Sequence, residues 1–143
     1  ARLFVASGTL AMRDTRGATR QTVAAATGDG SLTVPLVLLV DVGTTGAAEL
    51  FASALAGQKR AELVGERTGG RAAQQQLFKL PDGSALWMSY AWYLTPSASP
   101  IHERGLQPDV AVEQPDIDFG AALPAADVTL DKAVERLRSR LSS

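Results

Sequence analysis

The chain has 143 residues, 45% of them hydrophobic, a length and composition that fit one domain with a sizeable core. Fourteen basic and fifteen acidic residues leave a net charge of −1, which gives no reason to expect a nucleic acid or an anionic membrane as partner. The lack of cysteine excludes disulfides and thiol catalysis, and no apolar stretch approaches the roughly 20 residues of a membrane span.

The N-terminal part of the chain is predicted to finish a helix and then to form a hairpin. Residues 1–5 are typical of the last turn of a helix, with Gly8 as its stop signal, so we expect an upstream segment before them. β-Branched and apolar residues at 9–13 and 19–25 flank a turn at 14–17. This pattern predicts two antiparallel strands.

The middle of the chain is predicted to form a β-α-β unit. The sequence VPLVLLV (34–40) predicts a strand buried on both faces, as in parallel sheets covered by helices. Residues 47–55 carry apolar side chains at helical spacing, and AELVG (61–65) supplies a second strand. We therefore expect an α/β fold in which the glycine turn (residues 43–46) lies at the carboxyl end of the first strand, where parallel sheets gather ligand and catalytic groups.

The remaining residues predict a hairpin, a short strand and a closing helix. QQQLFKL (74–80) and SALWMSYAWYL (84–94) are separated by Pro-Asp-Gly, a strong turn signal, and follow a glycine-rich loop at 65–73. PDVAV (108–112) is typical of a short strand, whereas residues 113–126 are expected to be irregular. Residues 129–141 have apolar side chains at helical spacing, with Asp127 as the expected cap.

The glycine turn offers little chemistry of its own. It contains no serine, cysteine or lysine, and neither of the common glycine-rich phosphate-binding motifs is present, so a nucleotide site is not expected. The single histidine, His102, has no second histidine or cysteine to share a metal, and no serine elbow for which it would be the base. We expect a surface histidine and neither metal nor cofactor.

Other polar and aromatic residues are interpreted as structural. Asp116 and Asp118 lie in the irregular stretch and Asp41 precedes the glycine turn, but nothing in the sequence brings two carboxylates together. The aromatic residues of 84–94 alternate imperfectly along one strand, which indicates packing between sheet and helix. These are Trp87, Tyr90, Trp92 and Tyr93.

The order of motifs resembles the catalytic domain of the C-terminal processing peptidases, also called tail-specific proteases. The resemblance spans residues 1–141, and its most distinctive parts are GERT-x-G and TPS…I…G-x-x-PDV. It implies a serine peptidase with a ClpP/crotonase-like α/β core, of which residues 1–143 would be one partial catalytic domain. It also implies a peptide or protein C-terminus as partner, an extracytoplasmic location, no cofactor, and a PDZ domain and an upstream segment outside this chain.

Transferred residue by residue, the family's catalytic positions hold unexpected side chains. The nucleophile is the third residue of a SASASE-like run that ends at Glu49, which places it at Gly46. The lysine base follows GERT-x-G and falls on Arg71, and the residue that orients it matches Gln75. The resemblance implies that the amide of Ala47 forms half of the oxyanion hole, whereas the other half would come from the upstream segment.

Both substitutions remove a requirement of the family's chemistry. Gly46 has no side chain to attack a carbonyl, and a guanidinium such as that of Arg71 retains its proton in essentially any protein site, whereas a lysine can lose it. We therefore expect peptidase ancestry without peptidase activity. The turn would keep a peptide-binding role, with Gly43, Thr44, Thr45 and Gly70 as expected contacts.

Two alternatives to an inactive peptide-binding domain stay open at the level of the sequence: an active hydrolase and a structural module. The protein is an active hydrolase if Thr45 replaces the nucleophile or if the upstream segment completes the site. One step along a helix start turns a side chain by roughly 100°, however, so Thr44 and Thr45 should both point away from the place of the missing group. The second alternative is a structural module that has lost peptide binding as well.

Overall fold

The computed structural model describes residues 1–114 and 126–142, which form seven strands and two helices. Asp116, Asp118 and most of the stretch predicted to be irregular lie outside these residues. Residues 1–5 form one turn, closed by the Val5 amide on the Ala1 carbonyl. The elements are β1 (Thr9–Thr15), β2 (Gln21–Ala24), β3 (Val37–Val40), α1 (Ala47–Gly57), β4 (Glu62–Gly65), β5 (Ala73–Lys79), β6 (Ala85–Leu94), β7 (Val110–Ala111) and α2 (Val128–Leu141).

Four strands form an antiparallel sheet in the order β2-β1-β6-β5. Both predicted hairpins are confirmed, and the second turns at Asp82, whose Oδ1 accepts a hydrogen bond of 3.0 Å from the Ser84 amide. β1 pairs with β6 at residues 91–94, whereas β5 pairs with β6 over its whole length. Residues 75–89 therefore project beyond β1 as a two-stranded arm.

The other three strands form a parallel sheet in the order β3-β4-β7, which confirms the predicted β-α-β unit. Its strands end together: Val40 is the register partner of Gly65, and the Glu66 amide donates to the Val40 carbonyl at 2.9 Å. A Cβ on Gly65 would lie 2.1 Å from that carbonyl oxygen, and φ there is 132°. Only glycine allows this approach, which brings the 65–73 loop beside the glycine turn.

Helix α1 packs between the two sheets and buries small and branched side chains on each. Ala52 belongs to a core cluster with residues of β3 and β4, whereas Ala54 and Leu55 belong to one with residues of β1 and the N-terminal turn. The helix begins at the carboxyl end of β3, as its position in the β-α-β unit requires. Neither α1 nor α2 is long and apolar enough to cross a membrane.

Two predictions of burial are wrong. Leu39 in β3 is 48% exposed, although burial on both faces was expected, because β3 is the terminal strand of its sheet and its neighbours do not cover that side chain. Trp87 is 61% exposed rather than packed between sheet and helix, because it lies on the arm beyond β1. An apolar pattern reports hydrophobicity, but not how far the covering elements extend.

The closing helix and its cap are confirmed. Asp127 is the N-cap of α2, and its side chain accepts a hydrogen bond of 2.9 Å from the Leu130 amide. The helix packs on β3 and β4, and Arg136 makes a bidentate ion pair with Glu62 of β4, with N–O distances of 3.0 and 2.7 Å. This pair fixes one side of the helix to the parallel sheet.

Removal of this pair is expected to change how stability depends on pH. The hydrogen bond from Arg136 lowers the pKa of Glu62 below its ordinary value of 4.5, so the folded protein binds that proton less tightly than the unfolded chain does. The pair therefore stabilises the fold above the unfolded pKa, and this contribution is lost as the pH falls through the lowered pKa. Urea unfolding should show Arg136→Ala slightly less stable than wild type at pH 7.

The same comparison at lower pH provides the check. The difference between wild type and Arg136→Ala should shrink as the pH falls below the ordinary pKa of Glu62 and then through its lowered pKa, because Glu62 takes up its proton. Arg138→Ala, at an exposed position of the same helix, is the matched control and should leave the pH profile unchanged. A deficit of Arg136→Ala that is equal at every pH would mean that its hydrocarbon stem, not its charge, holds the helix.

Candidate functional site

The glycine turn is held by side chains of its own segment. The Asp41 carboxylate accepts hydrogen bonds from the amide of Thr44 at 2.8 Å and from the Thr44 hydroxyl at 2.9 Å. The hydroxyl proton of Thr44 is therefore already used in a hydrogen bond. Gly46 is the N-cap of α1, with φ 60° and ψ −118°. A Cβ on Gly46 would meet no atom nearer than the Arg71 carbonyl oxygen, 3.9 Å away. The place of a side chain at this position is therefore open.

Glu49 joins the glycine turn to the 65–73 loop. Its side chain is fully buried and accepts four hydrogen bonds. One carboxylate oxygen accepts from the amides of Gly46 and Arg71 at 3.0 and 2.8 Å, and the other accepts from the Thr68 hydroxyl at 2.5 Å and the Gly70 amide at 2.8 Å. None of these donors is a cation. The Glu49 carboxylate is therefore stabilised by backbone amides, a hydroxyl and the N-terminus of the helix.

The two most distinctive motifs interlock around Thr68. Its hydroxyl accepts from the Leu106 amide at 2.8 Å, and the Gly70 carbonyl accepts from the Glu103 amide at 2.7 Å. A Cβ on Gly105, where φ is 66°, would lie 2.2 Å from the Thr68 carbonyl oxygen. The segment at 101–106 thus supports the 65–73 loop from outside, and only glycine fits at this contact.

His102 lies in this supporting segment rather than in the site. It is half-buried, and its Nδ1 is buried without a hydrogen-bond partner among the described residues. Within residues 1–114 and 126–142 no group of three or more potential ligands is placed to hold a metal ion.

A groove of ≈ 350 Å³ opens beside the N-terminus of α1. Gly46, Ala47 and Leu50 line it on the helix side, and Gln75 and Trp87 line it on the side of the arm. Gln75 Oε1 accepts from the Trp87 indole N–H at 2.8 Å. A larger depression of ≈ 570 Å³ at the other end of α1 contains none of the predicted site residues.

The structure brings some of the predicted site residues to this groove and places others elsewhere. Arg71 is exposed, its amide is bound by Glu49, and its guanidinium makes no hydrogen bond or ion pair within the part of the chain that the structure describes. Thr44 lines a separate cavity of ≈ 220 Å³ with Asp41. The Thr45 methyl group would lie 2.7 Å from a Cβ on Gly69, so it packs over that glycine.

The remaining predicted contacts, Gly43 and Gly70, are glycines that lie near carboxylates of the protein itself. A Cβ on Gly43 would lie 3.4 Å from Asp41 Oδ1, and Gly70 is buried with its amide donating to Glu49. Sequence reasoning used Glu49 only to align the motif and missed its part in joining the two loops. A glutamate three residues after a helix N-cap is half of a capping-box pattern, and this signal would have identified it.

Comparison with known proteins identifies the family. The family model "Peptidase family S41" matches residues 1–112. A carboxyl-terminal-processing protease of Synechocystis sp. is 39% identical over 137 residues, which are 96% of this chain and 32% of the relative. The carboxy-terminal processing protease CtpA of Bacillus subtilis is 38% identical over 96 residues, 67% of this chain and 20% of the relative.

Solved structures agree with this assignment. The photosystem II D1 C-terminal processing protease superposes with a TM-score of 0.68 at 35% identity, covering 78% of this chain and 29% of that one. A lipoprotein from Streptococcus agalactiae has a TM-score of 0.70 at 16% identity, which shows a shared fold only. This chain spans less than a third of the length of the processing proteases that it matches. The predicted α/β fold and family are confirmed: the chain belongs to peptidase family S41, the family of the C-terminal processing peptidases.

Proposed function

We propose that this chain is a peptide-binding domain of the S41 family that has lost peptidase activity. The observation that carries the proposal is the open space at Gly46, the residue predicted to occupy the nucleophile position. Arg71, at the lysine position, has a guanidinium that cannot serve as a neutral base. Formation of a covalent acyl-enzyme needs a nucleophile to attack the carbonyl and a base to accept its proton. Gly46 cannot supply the first and Arg71 cannot supply the second.

The neighbouring threonines do not supply a replacement. The Thr44 hydroxyl is engaged by Asp41, and the Thr45 side chain packs over Gly69 rather than lining the groove with Gly46. Neither hydroxyl has a hydrogen bond to a lysine or histidine in the described residues. This arrangement supports an inactive site over an unconventional threonine nucleophile.

The geometry supports peptide binding by strand addition. β5 is the terminal strand of the antiparallel sheet, its residues 75–79 are exposed, and its first half adjoins the groove. An extended peptide can pair with such a free edge through main-chain hydrogen bonds. Ala47 is the first residue of α1, where amides lack partners inside the helix, so it offers a donor to a peptide carbonyl.

Arg71 supplies the means to recognise a chain terminus. Its exposed guanidinium presents a planar set of donors that suits a carboxylate. Its backbone is fixed by Glu49, and its carbonyl is the nearest atom to the open position at Gly46. The proposed partner is therefore the C-terminal segment of a peptide or protein. The extracytoplasmic location and the PDZ domain of a longer protein stay predictions.

A peptide assay on the full-length protein tests this function. We expect no turnover of chromogenic peptides, and titrations in which a free C-terminus binds about 10-fold more tightly than its amide, because the amide loses the charge-assisted bond to Arg71. Arg71→Ala should remove that preference. Turnover that Thr45→Ala abolishes would establish the alternative of an active hydrolase. Failure of both peptides to bind would leave only a structural role.

A further inference from the structure

The arm presents large apolar side chains to solvent close to the groove. Leu77 and Trp87 are directly opposite each other across β5 and β6, so their side chains share one face of the arm. They are 48% and 61% exposed. Trp87 lines the groove together with Gly46, whereas Leu77 lies on the same face of the arm outside the groove lining. We call this pair the Trp87–Leu77 surface.

One hydrogen bond orients the indole of Trp87 although the ring is exposed. Its N–H donates to Gln75 Oε1 at 2.8 Å, and Gln75 is its diagonal neighbour on the same face. A tethered aromatic ring loses little conformational entropy when a ligand packs on it, which is why such rings dominate binding energies. The oxygen of Gln75, at the position that orients the base in the family, here holds the indole instead.

The residues that line the groove select for chemistry as well as shape. They include apolar, amide and aromatic side chains but no charged one, and Leu50 and Tyr93 are among them together with Trp87. Because Arg71 is not part of this lining, a charged side chain that enters the groove itself would lose its hydration without gaining an oppositely charged partner there. An aliphatic or aromatic side chain would instead gain buried apolar area.

We propose that the Trp87–Leu77 surface is the specificity-determining contact of the groove and selects a large aliphatic or aromatic side chain of the bound peptide. The inference rests on the proposed peptide binding, because the surface is continuous with the groove beside Gly46. Within the chain it assigns a binding role to Trp87, a residue for which sequence patterns predicted only packing.

Tryptophan fluorescence provides a direct measurement. These 143 residues contain two tryptophans, so in a Trp92→Phe variant Trp87 is the one tryptophan of this chain that reports binding. The probes are extended peptides with a free C-terminus that differ at one position, which is phenylalanine, leucine, glycine or aspartate. We expect the phenylalanine and leucine peptides to shift the Trp87 emission and to bind about 10-fold more tightly than the others.

Variants separate this contact from the rest of the groove; their affinities are measured by calorimetry. Trp87→Ala should weaken binding of the phenylalanine and leucine peptides about 10-fold and leave the glycine peptide unchanged. Trp87→Phe, which keeps an aromatic ring but loses the N–H, should stay within about threefold of wild type. Leu86→Ala is the matched control, since Leu86 is also 48% exposed but faces the other side of the arm.

The outcomes distinguish the inference from the function on which it rests. If peptides bind but Trp87→Ala weakens all of them equally or none of them, the selectivity assigned to Trp87 is wrong and peptide binding stands. If Leu86→Ala has the same effect as Trp87→Ala, the contact is a property of the whole arm and the inference is likewise wrong. If no peptide binds the wild-type protein, the proposed function fails, and this inference fails with it.

Discussion

The double variant Gly46→Ser/Arg71→Lys is expected to react with a fluorophosphonate probe at least about 100-fold faster than the wild-type protein. The expectation rests on the proposed nucleophile position, where there is room for a side chain: a Cβ on Gly46 would meet no atom closer than 3.9 Å. A lysine at position 71 would provide an amine, which can lose its proton and act as a base, whereas the guanidinium of Arg71 cannot. Intact-protein mass spectrometry measures the adduct.

The serine would be tolerated at a moderate cost. At φ 60° and ψ −118°, position 46 lies in a backbone region that L-residues adopt rarely, and such strain costs about 1–3 kcal/mol. The surrounding hydrogen bonds hold this conformation, since Glu49 binds the amides of both Gly46 and Arg71. The thermal midpoint of the double variant should fall by several degrees, and its far-ultraviolet circular dichroism should not change.

Single variants serve as controls. Gly46→Ser alone lacks a base and Arg71→Lys alone lacks a nucleophile, so each should stay within about 10-fold of wild type. Equal labelling of Gly46→Ser and the double variant would show that another group accepts the proton. Labelling of the wild-type protein itself would contradict the proposed loss of activity. A folded but unreactive double variant would mean that the turn no longer has the geometry of its relatives.

The sequence predicts features of this molecule that depend on neighbours along the chain. The hairpin at Pro81-Asp82-Gly83, the β-α-β unit and the cap at Asp127 follow from turn residues, apolar periodicity and capping preferences. The flanking motifs also predict Gly46 and Arg71 as the substituted catalytic positions, and that assignment stays a prediction. Local patterns are therefore enough for the fold class and the family.

Features that depend on approach between distant segments could not be predicted. Nothing before Gly65 in the sequence indicates that its Cα must pack against the Val40 carbonyl, and nothing around Thr68 indicates that its hydroxyl reaches Glu49 across 19 residues. The exposure of Trp87 is of the same kind, because it depends on where β1 stops pairing with β6. Burial and tertiary hydrogen bonds are properties of the packed molecule, which a linear pattern does not report.

Glu49→Gln is expected to lower the free energy of unfolding by about 2–6 kcal/mol, at about 1–3 kcal/mol for each of two donors left without an acceptor, a large share of the roughly 5–15 kcal/mol that stabilises a typical domain. The Glu49 carboxylate is fully buried and accepts from four donors, two on each oxygen. Glutamine has one acceptor oxygen, and its amide N–H groups would face donors in place of the other. Buried backbone amides would then lose their partners, which is the costly kind of hydrogen-bond loss.

Urea unfolding measures this loss, and amide hydrogen exchange locates it. Exchange should become faster at the amides that lose their acceptor in Glu49→Gln: Gly46 and Arg71 if the glutamine oxygen takes the place of Oε1, or Gly70 if it takes the place of Oε2. Glu135→Gln, an exposed change on α2, is the matched control and should cost no more than about 0.5 kcal/mol. A Glu49→Gln variant within about 1 kcal/mol of wild type would mean that the two loops are held by the interlocking of 101–106 around Thr68 rather than by this carboxylate.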